Sequence, residues 1–522
     1  MKHICYGNLH ALIVFLLFST FNFAQKNSKP NVLFIMCDDL NDYQGVFGGH
    51  KQSYTPNIDK LAASGIQFLN AQSNAPVCQP SRNSIFTGVY PHDSKDFGWT
   101  PMHKQPVLKH NKTLMQLFQE NGYKTLGSGK LTHGKPTKDW DEWGMNYKHN
   151  YGPLYNDGKK NVSHPSVPAP FNKIGPIDGS YGRLSDGGIS TGKSGEKGWV
   201  MGWDMKRMRY INDDDRDLLQ DEKHAIWGVK KLKDLEQDSS QQPFFMGIGF
   251  VRPHTPLHAP DKYFDRFPID EIELKDWIVN DEEDTFWSNN FESKMKGPKY
   301  FRELVKSYGG DREVALKHFL QAYLACVTFV DEQVGVLLDG LDNSRFKDNT
   351  IVVFTSDHGW QMGEKKYLFK NSPWEESARV PLIVRTPITK AGGKVAHPIS
   401  LVDLYPTLVD YCSLEGSNKK NPNGGSLGGN SLRPFLENPK EMKWNGPNGA
   451  LTVVGNFGIK IPVHEQNYSY RTEEYRYILY GNGEEELYNH KTDENEWKNV
   501  AAVKKYKKIK KQLQKEMKNI IN

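Results

Sequence analysis

The sequence predicts an α/β protein in which a large, mostly parallel β-sheet is covered by helices and is followed by a small antiparallel sheet and a basic helix. Two observations support this fold. Short continuous apolar runs recur along the chain, and such runs suit strands that are buried on both faces. Helical patterns separate the runs, and strands that alternate with helices indicate an open α/β sheet.

Each of four predicted strands ends at a polar or charged cluster. The strands, with the residues that follow them, are 31–36 with Asp38 and Asp39, 123–129 with Lys130 and His133, 243–251 with His254, and 350–356 with Asp357 and His358. Any one cluster could be a turn or a helix cap, and Asp39 alone could form an Asx turn. Because ligands of open α/β sheets bind beyond the carboxyl ends of the strands, the four clusters together predict a functional site.

Helical patterns lie between these strands. Thr55 and Pro56 suit the cap and the first position of a helix whose apolar stripe starts at Ile58. Further helices are predicted over 113–121 and 314–341. We expect these helices to cover the faces of the sheet.

The pattern also predicts the domain organisation. A catalytic α/β domain is expected over 25–440, and within it residues 146–215 are rich in Gly, Pro, Asn and Asp, which predicts an irregular insertion near the site. A C-terminal subdomain is expected over 441–522. There apolar and polar residues alternate, Gly481-Asn482-Gly483 predicts a hairpin turn, and residues 503–522 form an amphipathic helical pattern.

The first 24 residues have the layout of a secretory signal peptide. Lys2 precedes an apolar stretch over 11–18, and Ala24 closes the segment before Gln25. The stretch is short for a membrane span, and a buried N-terminal helix is the alternative. We therefore expect an exported protein, periplasmic or secreted, that is cleaved near Ala24 and has no stable membrane span.

The formal net charge of +5 is concentrated at the C-terminus. Residues 503–522 contain eight Lys and one Glu, so that the rest of the chain carries a net charge of −2. A nucleic-acid-binding protein would spread basic charge over its working face, and nucleic acid is therefore not expected as a partner. The basic segment suits a docked helix with a solvated lysine face, or contact with an anionic polymer or envelope.

Four cysteines follow the predicted signal peptide, namely Cys37, Cys78, Cys326 and Cys412. Their scattered positions indicate neither a disulfide scaffold nor a zinc site. Cys78 differs from the others because it lies in a polar stretch at the predicted start of a helix, where the helix dipole favours an anion. It is a candidate nucleophile.

The predicted site combines carboxylates with cations. Asp38, Asp39 and Asp357 would repel one another strongly without a cation between them, and oxygen ligands favour Ca²⁺ or Mg²⁺. His358 adds a nitrogen ligand, which leaves a transition metal open. Positive charge and proton donors come from Arg82, Lys130, Lys370, His133 and His254. A metal ion within a ring of cations suits a tetrahedral oxyanion, either sulfate or phosphate.

The run Cys78-Gln79-Pro80-Ser81-Arg82 matches the Cys-x-Pro-Ser-Arg signature of the type I sulfatases. The chain resembles this family over most of its length, in the blocks TPNIDKLAASGI, GKLTHG, RPHTP, SDHG, EESARVP and ELYNHKTDENEW. Asp357-His358 looks most like the iduronate-2-sulfatase branch. The resemblance implies the alkaline phosphatase-like sulfatase fold. It also implies oxidation of Cys78 to Cα-formylglycine (3-oxoalanine), whose hydrate is an oxygen nucleophile.

The resemblance implies roles for the individual site residues. One Ca²⁺ would be bound by Asp38, Asp39, modified Cys78, Asp357 and His358. Sulfate would be held by Lys130, His254 and Lys370. Arg82 would steady the hydrated aldehyde and the metal cluster.

The same resemblance implies a reaction sequence. One hydroxyl of the hydrated aldehyde would attack sulfur in line, while His254 or Lys370 protonates the departing sugar oxygen. His133 would then remove a proton from the second hydroxyl, which expels sulfate and restores the aldehyde. The partner implied for maturation is a formylglycine-generating or sulfatase-maturing enzyme.

The resemblance also implies the substrate, a sulfated polysaccharide or oligosaccharide. Algal ulvan or carrageenan is favoured, and a uronate 2-sulfate of a glycosaminoglycan is second. Tryptophans such as Trp99 and Trp203 could stack on sugar rings. Two other classes stay open. A metal-dependent phosphohydrolase would carry Thr or Ser at position 78, and a non-catalytic glycan binder would have lost Cys78, Lys130 or His254.

Overall fold

The computed structural model describes residues 29–134, 138–145, 151–286, 295–389, 392–441, 443–455 and 462–522. The predicted signal peptide over 1–24 lies outside the described residues and stays a prediction. Among the described helices, none has the length and apolar character that crossing a membrane requires.

The described residues form twenty β-strands and twelve α-helices. The strands are β1 (Asn31–Asp38), β2 (Ile66–Gln72), β3 (Lys124–Gly129), β4 (Glu142–Trp143), β5 (Leu154–Asn156), β6 (Asn161–Val162), β7 (Tyr181–Arg183), β8 (Ser190–Thr191), β9 (Gly198–Val200), β10 (Arg209–Tyr210), β11 (Phe244–Pro253), β12 (Leu257–Ala259), β13 (Thr350–Ser356), β14 (Arg379–Arg385), β15 (Gly393–Val395), β16 (Ile399–Ser400), β17 (Gly449–Val454), β18 (Asn467–Thr472), β19 (Tyr475–Leu479) and β20 (Glu485–Asn489). The helices are α1 (Pro56–Ala63), α2 (Cys78–Thr87), α3 (Pro91–Ser94), α4 (Leu114–Glu120), α5 (Gln220–Gln237), α6 (Asp261–Phe264), α7 (Lys296–Ser307), α8 (Arg312–Asp342), α9 (Glu375–Ala378), α10 (Leu404–Tyr411), α11 (Arg433–Glu437) and α12 (Lys507–Ile521).

The largest sheet contains nine strands. Their order is β15–β2–β14–β13–β1–β11–β3–β4, and β16 also pairs with β2. The run from β13 to β4 is parallel throughout. Strand β14 is antiparallel to both of its neighbours, β13 and β2. The predicted fold class is confirmed, with a parallel centre and one mixed side.

The central strands are buried on both faces, as their continuous apolar runs predict. In β1, Leu33, Ile35 and Cys37 pack into one apolar cluster, which also contains residues of α5 and α8. The alternate residues, Val32, Phe34 and Met36, pack into a second cluster with residues of α2, α4 and α10. Side chains of a strand point to opposite faces in turn, so β1 lies in the middle of a three-layer arrangement.

Helix α1 begins at Pro56 after Thr55, as predicted, but its cap comes from elsewhere. The Thr55 side chain makes no capping hydrogen bond. Instead, the N–H groups of Asn57 and Ile58 donate to the carboxylate of Asp331, on α8, at 3.2 and 2.8 Å. A buried carboxylate suits this place because the first N–H groups of a helix have no partner within it.

The C-terminal part has the predicted composition of elements. Strands β17–β20 form a four-stranded antiparallel sheet in chain order, with the predicted turn between β19 and β20. Helix α12 packs Leu513 and Met517 against the apolar cluster on this sheet. Within the described part of the predicted insertion, strands β5–β10 have only two or three residues each. The boundaries of the insertion and of the C-terminal subdomain stay predictions.

Candidate active site

The carboxyl ends of four parallel strands bring the predicted residues to one place. Asp38 ends β1, and the backbone N–H of Asp39 donates to Asp357, which follows β13, at 3.3 Å. Lys130 follows β3 and contacts the carboxylate of Asp38. His254 follows β11, and its Nε2 lies 3.7 Å from a carboxylate oxygen of Asp39. The prediction that these clusters meet at one edge of the sheet is confirmed.

Cys78 is the first residue of α2, after an extended Val77. Its Sγ lies 3.3 Å from His358 Nε2, 3.3 Å from Lys370 Nζ and 3.9 Å from Lys130 Nζ. Burial and the charge of Asp38 raise the pKa of the thiol to about 11. Cys78 is therefore a neutral thiol at neutral pH and not an activated thiolate.

Arg82 joins three of these strand ends from one turn further along α2. Its Nε donates to Asp357 at 2.8 Å and its Nη2 donates to Asp38 at 3.1 Å. Its Nη1 donates to the carbonyl oxygens of Lys130 and Leu131, the latter at 3.2 Å. The planar guanidinium offers five donors in a rigid fork, and here it fixes the relative positions of two acids and the Lys130 loop.

Four side chains could hold a metal ion. One ligand atom from each of Asp38, Asp39, Cys78 and His358 lies within 4.8 Å of the others. The Nδ1 of His358 is 3.0 Å from the Gly359 carbonyl oxygen, and because a carbonyl only accepts, Nδ1 carries the hydrogen. The Nε2 lone pair, which points toward Cys78, is then available to a metal, with the carbonyl orienting the ring.

Asp357, the fifth predicted ligand, lies beside this group. Its Oδ1 accepts the backbone N–H groups of His358 and Asp39 at 3.0 and 3.3 Å. Its Oδ2 accepts from Arg82 and lies 3.6 Å from His358 Nε2. Each carboxylate oxygen has two lone pairs, so Asp357 retains acceptor capacity and stays a predicted ligand.

The two acids that follow β1 differ in their charge balance. Burial would raise the pKa of Asp38, but the permanent charges of Lys130 and Arg82 outweigh it and hold this pKa well below the usual range. For Asp39, burial outweighs Lys370 and His358, and the repulsion of Asp38 adds to it, so the pKa rises to about 8. Asp38 and Asp39 each place a carboxylate oxygen within 4.8 Å of the other. Two buried carboxylates this close together favour a cation between them.

The predicted anion-binding residues face the same centre. Lys370 Nζ donates to both oxygens of Asp39, at 2.7 and 3.0 Å. Burial would lower the pKa of Lys370, but Asp39 and Cys78 raise it well above the usual range. Burial, together with Lys370 and Lys130, holds the pKa of His254 well below 6.5. The site therefore contains permanent positive charge next to a neutral imidazole.

His133 lies at the rim of the site with an exposed aromatic ring beside it. Burial and Lys130 lower the pKa of His133 to about 3. The ring of Trp99, which is 52% exposed, has its centroid 5.0 Å from that of His133. Trp203 is also 52% exposed, with its centroid 6.5 Å from that of Tyr151. Both predicted sugar-stacking tryptophans therefore present free surface at or near the rim.

Several residues of the site were not predicted. The Tyr151 ring lies 4.5 Å from Lys130 Nζ and 5.1 Å from the His254 ring. Ser73 and Ser81 both donate to the carbonyl oxygen of Asp357, at 2.6 Å. Ser81 belongs to the Cys-x-Pro-Ser-Arg run, so its motif position was a usable signal. For Tyr151 and Ser73, no local pattern marks the contact.

A family model described as Sulfatase matches residues 30–413. The chain belongs to the sulfatase family. It is a sulfatase, as the signature around Cys78 predicted. A second model, described as N-sulphoglucosamine sulphohydrolase, C-terminal, matches residues 363–522 of this sulfatase.

Two similar proteins are also named as sulfatases. The sulfatase is 31% identical to a sulfatase of Formosa agariphila, over 92% of this chain and 84% of the relative. It is 28% identical to mouse iduronate 2-sulfatase, over 75% of this chain and 70% of the relative.

Two solved structures share the fold. One is BT4656 in complex with its substrate D-glucosamine-2-N,6-O-disulfate, with a TM-score of 0.66, 22% identity and coverage of 94% and 97% of the two chains. The other is a phosphonate monoester hydrolase from Silicibacter pomeroyi, with a TM-score of 0.70, 21% identity and coverage of 94% of each chain. At these identities the likeness concerns the fold alone.

Proposed function

We propose that this sulfatase removes sulfate esters from a sulfated polysaccharide or oligosaccharide, with a nucleophile made from Cys78. The observation that carries the proposal is the position of the Cys78 Sγ, within 3.9 Å of His358, Lys370 and Lys130, in the group of acids that could hold a metal. The reactive atom of residue 78 would therefore lie between a bound metal ion and the two lysines that can hold an anion. A nucleophile that attacks a sulfate ester needs this position.

The residues fit calcium and formylglycine. Carboxylates and an imidazole with a free Nε2 suit a divalent cation, whereas the sulfur of Cys78 is a soft donor and a poor ligand for hard Ca²⁺, which prefers oxygen. An oxygen at position 78 would complete the donor set, so the mismatch itself supports conversion of Cys78. Bound calcium would supply Lewis acidity, and hydrated formylglycine would supply one hydroxyl as nucleophile and a second for release of sulfate.

The remaining residues bind the sulfate group and move protons. Lys130 and Lys370 place two ammonium groups next to residue 78, where they can hold sulfate oxygens. His254 directs Nε2 to the same place because its Nδ1 bonds to the Thr255 carbonyl. We assign protonation of the departing sugar oxygen to Lys370, whose ammonium keeps its proton because Asp39 and Cys78 outweigh burial and raise its pKa. His254 can take this role only after its Nε2 has gained a proton, because the neutral ring carries its hydrogen on Nδ1. Removal of a proton during sulfate release is assigned to His133.

The rim of the site favours a carbohydrate substrate. Trp99 and Trp203 are exposed beside His133 and Tyr151, and aromatic rings suit the apolar faces of sugars. An algal polymer such as ulvan or carrageenan is our first choice. A uronate 2-sulfate is second, and the name of the mouse relative, iduronate 2-sulfatase, supports it.

The proposal is tested by measuring sulfate release from a panel of defined sulfated oligosaccharides, with aryl phosphates and phosphonate monoesters as the competing class. The protein is produced together with a formylglycine-generating enzyme, and products are analysed by mass spectrometry. We expect at least one sulfated saccharide to have the highest kcat/KM of the panel. Faster hydrolysis of a phosphate or phosphonate ester than of every sulfate ester would refute it.

The state of residue 78 is measured separately on the peptide that contains it. Conversion to the aldehyde makes this peptide about 18 Da lighter than the cysteine form, whereas sulfenic or sulfinic acid would add mass. We expect the lighter form in active protein. A fully active preparation in which residue 78 is entirely cysteine would contradict the proposal.

Calcium removal is expected to lower the melting temperature of the protein, and added Ca²⁺ is expected to restore it. A ligand at 100 times its Kd stabilises the folded state by about 2.7 kcal/mol. In Asp39→Asn the Ca²⁺-dependent part of the shift should largely disappear because a ligand charge is lost. The matched control is Asp403→Asn, a buried carboxylate that accepts backbone N–H groups of Ser400 and Asn430. An equal Ca²⁺ response in both variants would exclude Asp39 as a ligand.

A further inference from the structure

Helix α12 and the turn before it carry a row of exposed lysines. The apolar side of the helix packs on the C-terminal sheet through Leu513 and Met517. The opposite side is the lysine face, which we define as Lys504, Lys507, Lys508, Lys511, Lys515 and Lys518, all of them exposed. Lys510 pairs with Glu485 at 2.6 Å. In the part of the chain that the structure describes, no lysine of the face has a carboxylate within 4.0 Å.

A cavity of about 390 Å³ opens beside the start of this helix. Two aromatic residues, Trp497 and Tyr506, and two lysines, Lys498 and Lys505, contribute to its lining. Lys505 Nζ lies 4.8 Å from the centroid of the Tyr506 ring. The volume falls within the range of about 300–1,000 Å³ that is usual for ligand sites. None of the predicted active-site residues lines this cavity.

The acidic residue in the lining, Asp493, does not oppose an anion strongly. Its two carboxylate oxygens accept the backbone N–H groups of Trp497 and Lys498, both at 2.9 Å. Hydrogen bonds of this kind offset the negative charge locally. Asn489 and Thr492 also line the cavity and offer groups that can bond to sugar hydroxyls.

We propose that the cavity and the lysine face together form a secondary binding site for a sulfated polysaccharide, separate from the active site. The inference rests on the proposed function, because the polymer held there would be the one that carries the sulfate ester. Aromatic rings in the cavity suit the apolar face of a sugar. From Lys508 to Lys518 the helix rises about 15 Å, so its lysines can meet anionic groups that repeat along a polymer.

The same geometry disfavours a membrane as the partner. A helix that lies on a membrane buries its apolar side in the lipid boundary. In α12 that side is already occupied, because Leu513 and Met517 are buried on the C-terminal sheet. Only the charged side remains. Lys505, the sequence neighbour of Lys504 in the lysine face, lines the aromatic cavity, and a flat lipid surface does not fill such a cavity.

The test is calorimetric titration of the full chain carrying Cys78→Ala, which prevents turnover, with long carrageenan oligosaccharides. We expect Trp497→Ala to weaken carrageenan binding at the secondary site at least tenfold. The double variant Lys508→Gln with Lys515→Gln is expected to weaken the same binding at least tenfold. Added salt should weaken it too, because it screens the lysines. The matched control is the pair Lys233→Gln with Lys347→Gln, two exposed lysines elsewhere on the surface. This control should bind carrageenan as the chain with both lysines unsubstituted does.

Several outcomes would overturn the proposal. The secondary site does not exist if neither variant changes binding, or if the control pair weakens it equally. If polyglutamate binds as tightly as carrageenan and Trp497→Ala does not change its binding, the surface attracts any polyanion by charge alone and is not a polysaccharide site. Binding to phosphatidylglycerol vesicles, but not to carrageenan, would assign the face to a membrane. Because no catalysis is measured here, failure of the sulfate-release panel and failure of this site are separate results.

Discussion

Cys78→Ala is expected to lower kcat for sulfate release by about 10⁴-fold or more, the size of effect seen when a catalytic nucleophile is removed. The methyl group cannot be oxidised to an aldehyde and offers no atom to sulfur. Cys78→Ser is expected to be similarly inactive, because a serine sulfate ester has no second hydroxyl with which to expel sulfate. Initial rates on the best substrate of the panel, with the melting temperature measured in parallel, check both variants.

Cys412→Ala is the matched control for this pair. Cys412 is another buried free cysteine, at the end of α10 and outside the site, and burial raises the pKa of its thiol to about 12. The substitution should lower stability slightly and leave kcat within about twofold. Full activity in Cys78→Ala or in Cys78→Ser would end the formylglycine hypothesis, whatever the control shows.

Arg476→Met is expected to lower the free energy of unfolding by about 3–5 kcal/mol, the cost of leaving buried charges without their partner. Arg476, on β19, is fully buried and contacts the carboxylates of Glu375 and Glu496. Its Nη1 also donates to Ser469 at 2.7 Å and to the Pro373 carbonyl at 3.2 Å. Methionine has a similar length but no charge, so Glu496 would lose its main cation and Glu375 would keep only Arg471, at 3.3 Å, of the two cations from the C-terminal sheet.

Chemical denaturation of both proteins at neutral pH measures this effect. Arg433→Met is the control, because Arg433 also contacts two carboxylates, those of Asp410 and Glu437, at 2.9 and 2.8 Å. Its side chain is 41% exposed, so its loss should cost no more than about 1 kcal/mol. If Arg476→Met lowers the free energy of unfolding by no more than Arg433→Met does, burial does not strengthen the Arg476 ion pairs.

The Arg476 network also connects the C-terminal sheet to the segment that carries Lys370. Trp374 Nε1 donates to Glu486, on β20, at 2.9 Å. The backbone N–H of Glu375 donates to Glu496 at 3.0 Å. The C-terminal sheet therefore holds residues 373–375, close in sequence to Lys370. We expect Arg476→Met to reduce activity as well as stability.

Local patterns in the sequence were sufficient for much of the fold. The apolar runs that became β1, β3, β11 and β13 are recognisable because a strand buried on both faces needs apolar residues at every position. The edge at which their polar ends meet follows from parallel topology. The family followed from Cys78-Gln79-Pro80-Ser81-Arg82, because this short run carries chemistry that few other sequences need.

Contacts between residues far apart in the chain could be found only in the tertiary structure. Nothing near Asp331 indicates that it caps α1, and nothing near Tyr151 indicates that it lies over Lys130. Arg82 was recognisable as a cation, but its joint hold on Asp38 and Asp357 exists only once β1 and β13 lie side by side. Periodicity reports which face of an element is buried, whereas these partners are chosen by the packing of whole elements, which no local window of sequence contains.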